Sequence, residues 1–174
     1  GDVIRIWANL TERIGLINGV DVWINEGVII KSNDSNPTIY EFSGAVNCNI
    51  YGGGIIKNES SSKCIQIVNA NTELRIECNS IIGTNPTHAS STAIEIQKNK
   101  KFHLTCSEVQ SDVVGFVIGS TASGATIDDL NLKTEKIETG ISNNNVTSTS
   151  LITFANGFIN IGEIKCNEKG HCYS

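Results

Sequence analysis

An aliphatic residue recurs at nearly constant spacing along most of this 174-residue chain, with separations of 26, 26, 28, 28 and 27 residues. A second aliphatic residue follows each copy five positions later. The first members, called the anchors below, are Ile24, Ile50, Ile76, Leu104, Leu132 and Ile159, and the second members are Ile29, Ile55, Ile81, Val109, Ile137 and Ile164. A fixed period of this kind is the signature of a repeat architecture, so we expect a solenoid.

The residues around each anchor indicate strands rather than helices. An apolar residue stands two positions before the anchor in five of the six repeats: Val22, Cys48, Leu74, Phe102, Leu130 and, as the exception, Gly157. Apolar residues two apart are typical of a strand with one buried face. Three positions after each anchor come Gly27, Gly53, Asn79, Ser107, Glu135 and Gly162, most of which favour turns. Each repeat therefore predicts a strand, a corner and a second short strand.

A third strand is predicted between successive anchors. It is marked by the apolar pairs Tyr40/Phe42, Ile65/Ile67, Ile94/Ile96, Phe116/Ile118 and, less regularly, Ile152/Phe154. Three short strands in each repeat of 26–28 residues are the layout of a parallel β-helix.

Several segments resemble coils of right-handed parallel β-helix proteins of the pectin-lyase-like type. They are CNIYGGGII, LRIECNSII and AIEIQKNKKFHLTCSEV, and the opening thirty residues are similar to the first turns of such domains. The resemblance covers residues 3–165 and implies an all-β, right-handed solenoid of about six coils. Proteins of this fold include polysaccharide lyases and hydrolases, phage tail spikes and fibres, and bacterial adhesins, so the fold alone does not define an activity.

The length suits one domain, and we expect residues 1–174 to form a single β-helix. The ends of a β-helix expose open sheet edges unless something covers them, and no capping helix is evident in the sequence. The chain starts at Gly and contains no Met, so we expect a fragment of a longer protein. Adjoining domains or sister subunits, as in a homotrimer, would then cover the ends.

The charge and the lengths of the apolar runs argue against nucleic acid as a partner and against a membrane-spanning helix. The net charge is −5, and no stripe of Lys or Arg occurs that could track a phosphate backbone, so nucleic acid is not an expected partner. No apolar run approaches the roughly 18 residues that a membrane-spanning helix needs.

The six cysteines suggest buried thiols more than metal ligands. Cys78 and Cys106 both follow an anchor by two positions, so they are expected to stack on neighbouring coils inside the core. The tail contains Cys166, His171 and Cys172, but a structural zinc needs four ligands and no second pair completes the set. A Cys166–Cys172 disulfide and free thiols remain open alternatives. We expect no bound metal and no cofactor.

Catalytic residues are weakly indicated. Cleavage of a glycosidic bond calls for two carboxylates about 5–10 Å apart. The one adjacent acidic pair is Asp128 and Asp129, and successive side chains of a strand face opposite sides. The polygalacturonase-like hydrolases carry NTD, DD, GHG and RIK motifs, of which only the DD has a counterpart here. A pair exposed to solvent is therefore the simpler interpretation, with Asp128 and Asp129 the candidates if the chain is an enzyme.

Ligand-binding residues are expected among outward-facing aromatic and polar side chains. Trp23, Tyr51 and Arg75 are the candidates, because carbohydrates present both hydroxyl groups and apolar ring faces. His103 is also expected to point outward and to be solvated.

These observations favour a non-enzymatic structural or receptor-contact module of a phage tail fibre, tail spike or similar surface assembly, with surface polysaccharide as a partner. The expected location is the virion, the cell surface or the extracellular space. A polysaccharide lyase or glycoside hydrolase, or a piece of one, is the first alternative, and a bacterial adhesin or surface β-helix is the second.

Overall fold

The computed structural model describes the backbone of residues 1–84, 92–112, 114–118, 127–138, 141–143 and 156–165, and the side chains of residues 1–84, 92–112, 115–117 and 129–137. These residues form sixteen strands: β1 (Asp2–Ile6), β2 (Ile14–Leu16), β3 (Val20–Ile24), β4 (Ile29–Ser32), β5 (Ile39–Glu41), β6 (Asn47–Tyr51), β7 (Ile55–Asn58), β8 (Lys63–Ile67), β9 (Glu73–Glu77), β10 (Ser80–Gly83), β11 (Thr92–Ile96), β12 (Asn99–Ser111), β13 (Val114–Ile118), β14 (Ile127–Glu138), β15 (Ile141–Asn143) and β16 (Asn156–Lys165).

The strands stack into three longitudinal faces in which every paired strand is parallel to its neighbour. Face 1 contains β1, β3, β6, β9 and the first parts of β12, β14 and β16. Face 2 contains β4, β7, β10 and the second parts of the same three long strands. Face 3 is a separate six-stranded sheet in the order β15-β13-β11-β8-β5-β2. The chain visits the three faces in turn, so the predicted parallel β-solenoid is confirmed.

About four turns of solenoid are formed, compared with the six coils that the spacing predicted. Strands β14 to β16 continue the sheets further, but the segments between them fall largely outside the described residues. No helix long and apolar enough to cross a bilayer occurs in the part of the chain that the structure describes.

The inward side chains of face 1 form a continuous apolar column. Ile50 pairs with Ile76, Ile76 with Leu104, and Leu104 with Leu132. All four side chains are buried, and fully burying such a side chain contributes about 1.5–3 kcal/mol. The predicted anchors Ile50, Ile76, Leu104 and Leu132 are therefore confirmed as core residues, whereas the side chain of Ile159 lies outside the described residues.

The predicted first anchor, Ile24, was wrong by two residues in its register with the next turn. The partner of Ile50 in β3 is Val22 and not Ile24. Ile24 is also buried, since a shift of two residues keeps the same side of a strand inward. Its side chain lies over Gly54, where an added Cβ would approach Ile24 Cγ2 to 2.0 Å. Gly52 supplies the left-handed backbone that this corner needs, with a φ of +112°.

The second inward column differs from the prediction in the first two coils. Ile30 and Ile56 are fully buried, whereas the predicted Ile29 and Ile55 are only half-buried. The pairing Ile56–Ile81 continues to Val109 and Ile137, as expected. The corners that precede β4 and β7 are longer than the later ones, which changes which of two adjacent isoleucines points inward.

The inward column of face 3 runs from Ile14 of β2 to Ile39 of β5, so the predicted positions Tyr40 and Phe42 were wrong. Ile39 pairs with Ile65, and the column continues through Ile94 and Phe116. Tyr40 is half-buried and Phe42 is 64% exposed. Residues Ile152 and Phe154, predicted for the last coil, lie outside the described residues.

A buried amide holds the corner between faces 2 and 3. The Asn58 side-chain nitrogen donates to the carbonyl oxygens of Asn36 and Lys63 at 3.1 and 3.0 Å and to the Thr38 hydroxyl at 3.1 Å. Its side-chain oxygen accepts the Ser60 backbone N–H at 2.9 Å. Because every polar atom of Asn58 is satisfied, its burial is tolerated and fixes the loops around it.

Candidate functional site

The outward side chains of face 1 form three columns along the rod, because β-strand residues alternate between the core and the surface. Register places the predicted ligand-binding residues in two adjacent columns. Trp23 is paired with Tyr51, and Asn49 is paired with Arg75. The structure therefore brings all three candidates to one surface of the molecule.

Trp23 and Tyr51 form an aromatic pair on neighbouring turns. Their ring centroids lie 5.2 Å apart at an interplanar angle of 72°, an edge-to-face arrangement. The Arg5 guanidinium lies 5.6 Å from the Trp23 ring centroid on the other side. Both aromatic rings are only half-buried. They provide a partly exposed apolar surface whose orientation is fixed by packing.

Polar side chains flank this aromatic pair. The Asp21 carboxylate accepts hydrogen bonds from the Asn49 backbone N–H at 2.7 Å and from its side-chain amide at 3.0 Å. On the next turn, Arg75 forms an ion pair with Glu77, and both side chains are exposed. The exposed guanidinium retains N–H donors that are directed to solvent.

A shallow depression of about 370 Å³ lies among these side chains. We call it the Tyr51 groove, and its lining residues are Asp21, Asn49, Ile50, Tyr51, Arg75 and Glu77. Two predicted residues, Tyr51 and Arg75, line it directly, and Trp23 adjoins it through the contact with Tyr51. The groove combines an aromatic side chain with carboxylate, amide and guanidinium groups.

The sequence analysis missed Asp21, Asn49 and Glu77 as lining residues. They occupy outward positions of β3, β6 and β9, which the alternation around each anchor could have identified. Their convergence depends on the register between coils, and the sequence placed β3 two residues away from its true position.

Asp128 and Asp129 both lie within β14. The Asp129 carboxylate Oδ2 is 2.9 Å from His103 Nε2, and its Oδ1 accepts a hydrogen bond from the Asn131 amide at 2.9 Å. The expectation that Asp129 and His103 are simply solvated was therefore wrong. The side chain of Asp128 lies outside the described residues.

Among the part of the chain whose side chains are described, no group of three or more His, Cys, Asp or Glu side chains is placed to hold a metal ion. The two carboxylates of the Tyr51 groove are each engaged, Asp21 by Asn49 and Glu77 by Arg75. This arrangement suits recognition of a polar ligand by hydrogen bonding.

The four cysteines with described side chains are free thiols, and three of them are buried. Burial, together with the nearby Asp21 charge, raises the pKa of Cys48 to about 11. Burial also raises the pKa of Cys64. A hydrogen bond from Cys78 lowers the pKa of Cys106, and the same interaction raises the pKa of Cys78. The predicted stacking of Cys78 and Cys106 is confirmed, although Cys78 is only half-buried. Cys166, His171 and Cys172 lie outside the described residues.

No protein-family model, no curated protein and no solved structure matches this chain.

Proposed function

We propose that this chain is a non-enzymatic structural and receptor-contact module of a phage tail fibre, tail spike or similar surface assembly, built as a right-handed β-helix of the pectin-lyase-like type. The Tyr51 groove is its contact site for surface polysaccharide. The observation that carries this proposal is the placement of Trp23, Tyr51 and Arg75 on one outer surface with Asp21 and Asn49 beside them.

The chemistry of the groove supports a carbohydrate ligand. A sugar ring has an apolar face that packs on an aromatic ring and hydroxyl groups that need hydrogen-bond partners. Tyr51 offers the aromatic ring, and the Arg75 guanidinium offers several donors in a fixed plane. Hydrogen bonds between Asp21 and Asn49 hold the Asp21 carboxylate and the Asn49 amide in position before a ligand arrives. A shallow groove of this kind fits an extended polymer better than an enclosed small molecule.

The rod itself supports a structural role. Its core columns run through successive turns, and ion pairs connect neighbouring turns on the outside, such as Lys31–Glu59 and Lys136–Glu108. Assembly with sister subunits in a homotrimer or with adjoining domains would cover exposed apolar side chains, such as Trp7 at 63% and Phe42 at 64% exposure. A strict monomer in light scattering at micromolar concentration would argue against the trimer.

The test is binding of the whole chain to an array of bacterial surface polysaccharides, followed by calorimetric titration of any ligand found. We expect Tyr51→Ala and Arg75→Ala each to weaken binding about 10-fold or more, since each loses a central contact. Phe42→Ala, which removes an exposed aromatic ring on face 3, serves as the matched control and should bind normally. Equal binding by Tyr51→Ala, Arg75→Ala and wild type would exclude the groove as the contact site.

Polysaccharide cleavage is the alternative that a specific contact favours, because Asp129 is held against a histidine at 2.9 Å. A lyase or hydrolase would release oligosaccharides from acidic glycans and lose this activity on Asp128→Ala or Asp129→Ala. The non-enzymatic proposal predicts no products from wild-type protein across a broad glycan panel. The adhesin alternative is distinguished by a secretion signal in the full-length gene.

A further inference from the structure

Two cysteines, Cys78 and Cys106, lie on neighbouring turns and line the same surface depression. The Cys78 N–H donates to the Thr105 carbonyl at 3.1 Å, and the Ser107 N–H donates to the Asn79 carbonyl at 2.9 Å. These backbone hydrogen bonds place Cys78 opposite Cys106 on the neighbouring turn.

The Cys78–Cys106 pair is reachable from solvent. It lines a depression of about 430 Å³ that also includes Lys133, Thr134 and Glu135. Cys78 is the half-buried member of the pair, whereas Cys106 is 6% exposed. The other two described cysteines, Cys48 and Cys64, are buried and do not line this depression.

The spacing of the two side chains favours a bridging ion over a disulfide. In-register residues of neighbouring parallel strands are held about 4.8 Å apart with their side chains in the same direction. A disulfide needs Cβ atoms about 3.5–4.5 Å apart, so closing one here requires backbone movement. An ion between the two sulfur atoms needs no such movement.

We propose that Cys78 and Cys106 form a two-thiolate binding site for a soft monovalent metal ion of the Cu(I) type. Soft thiolate ligands select such ions, and two sulfur donors are sufficient for a linear complex. On binding, each thiol loses one proton and forms one sulfur–metal bond, without any change in oxidation state. The resulting complex carries one negative charge, and one cation and one anion, Lys133 and Glu135, line the same depression.

The Thr134 hydroxyl on the next turn accepts a hydrogen bond from the Cys106 thiol. Its oxygen lies 3.7 Å from Cys106 Sγ and is itself held by the carbonyl oxygens of Ser107 and Lys136, each at 3.1 Å. Cys106 is therefore positioned by a fixed neighbour. The site requires only two protein ligands. It differs from the sequence expectation that no metal is bound, and it is independent of the proposed function.

The experiment uses the whole chain with Cys166→Ser and Cys172→Ser, which removes the two tail thiols that lie outside the described residues. Cu(I) is supplied anaerobically in competition with a chromophoric Cu(I) chelator. We expect one ion per chain and a higher unfolding temperature in its presence. Cys78→Ser and Cys106→Ser should each weaken binding at least about tenfold, while Cys48→Ser, the buried control, should not.

A second measurement keeps the proposal testable if Cys106→Ser fails to fold. Alkylation of the folded Cys166→Ser/Cys172→Ser protein, read by mass spectrometry, should modify Cys78 first, and Cu(I) should protect Cys78 and Cys106 together. Unchanged Cu(I) affinity in Cys78→Ser, or equal loss of affinity in Cys48→Ser, would overturn the site. Alkylation of Cys78 at the same rate with and without Cu(I) would also overturn it.

Discussion

At the scale of single residues, the stacking of the first two turns depends on the absence of a Cβ atom at Gly54. Ile24 fills the space that a larger residue at position 54 would need, and Gly52 adopts a left-handed backbone beside it. Ile24 thus remains buried although its register partner in the next turn is not one of the anchors. Gly52 and Gly54 together allow a two-residue shift in register that keeps Ile24 buried.

Gly54→Ala should therefore destabilise the protein by about 1–3 kcal/mol, the usual cost of overpacking a core. The new methyl group would collide with Ile24 Cγ2, so Ile24→Ala should recover part of that loss in the double variant. The measurement is a double-mutant cycle by urea unfolding, with an expected coupling of at least about 0.5 kcal/mol. Strict additivity of the two substitutions would show that Ile24 does not lie over Gly54.

Most of the core could be predicted from the sequence because inward residues alternate around each anchor. The errors occurred where the alternation is ambiguous. Ile29 and Ile30 are both isoleucine, as are Ile55 and Ile56, so composition cannot show which one points inward, and the corner length decides. In β5 of face 3, Ile39 and Tyr40 are adjacent and both largely apolar, so the sequence pattern alone does not show which of them points inward.

The candidate site was predictable only in part for a related reason. Tyr51 and Arg75 stand out as aromatic and cationic residues beside an anchor. Their neighbours Asp21 and Asn49 are ordinary polar residues whose role depends on which coil position lies next to which. That register is set by the packing of Ile24 over Gly54, which the repeat spacing does not reveal.

At the scale of strands, ion pairs across neighbouring turns reinforce face 2. Glu59, just after β7, contacts Lys57 at 2.7 Å within its own turn and Lys31 of β4 at 3.0 Å. Hydrogen bonds from Lys57 and then Lys31 lower the pKa of Glu59 below its usual value. All three side chains are about one-third exposed or less, so solvent screening keeps the contribution modest.

The sign of the pH dependence follows from this lowered pKa. Glu59 binds its proton more weakly in the folded state, so its contribution to stability is present above the unfolded-state pKa and is lost as the pH falls through the folded-state value. Glu59→Gln should cost about 0.5 kcal/mol near pH 7 and almost nothing near pH 2.5. Urea unfolding at both pH values measures this, with Glu12→Gln, an exposed carboxylate, as the control. An equal cost at both pH values would contradict the ion-pair account.

At the scale of the whole molecule, each turn contacts only its neighbours, so stability should vary along the rod. Ile4 and Ile76 belong to the same inward column of face 1. Ile76 is fully buried between two turns, whereas Ile4 in β1 is 50% exposed. The same residue type therefore has a full set of neighbours in one turn and an open side in the other.

Ile76→Ala should lower the free energy of unfolding by about 2–5 kcal/mol, because it leaves a cavity in the column. Ile4→Ala removes the same atoms from a position that is half open to solvent and should cost clearly less, about 1 kcal/mol or below. Chemical denaturation of the two variants provides the comparison. Equal losses of unfolding free energy in the two variants would contradict the difference in burial between Ile4 and Ile76.

The most direct test of the account is the order of side-chain contacts along the core, measured by methyl NMR on protein labelled at Ile, Leu and Val. The structure predicts sequential methyl–methyl contacts from Val22 to Ile50, from Ile50 to Ile76 and from Ile76 to Leu104. Observation of this chain of contacts would establish parallel turns stacked in the stated register. Absence of these contacts, or contacts of Ile50 with Ile24 and not with Val22, would contradict this register.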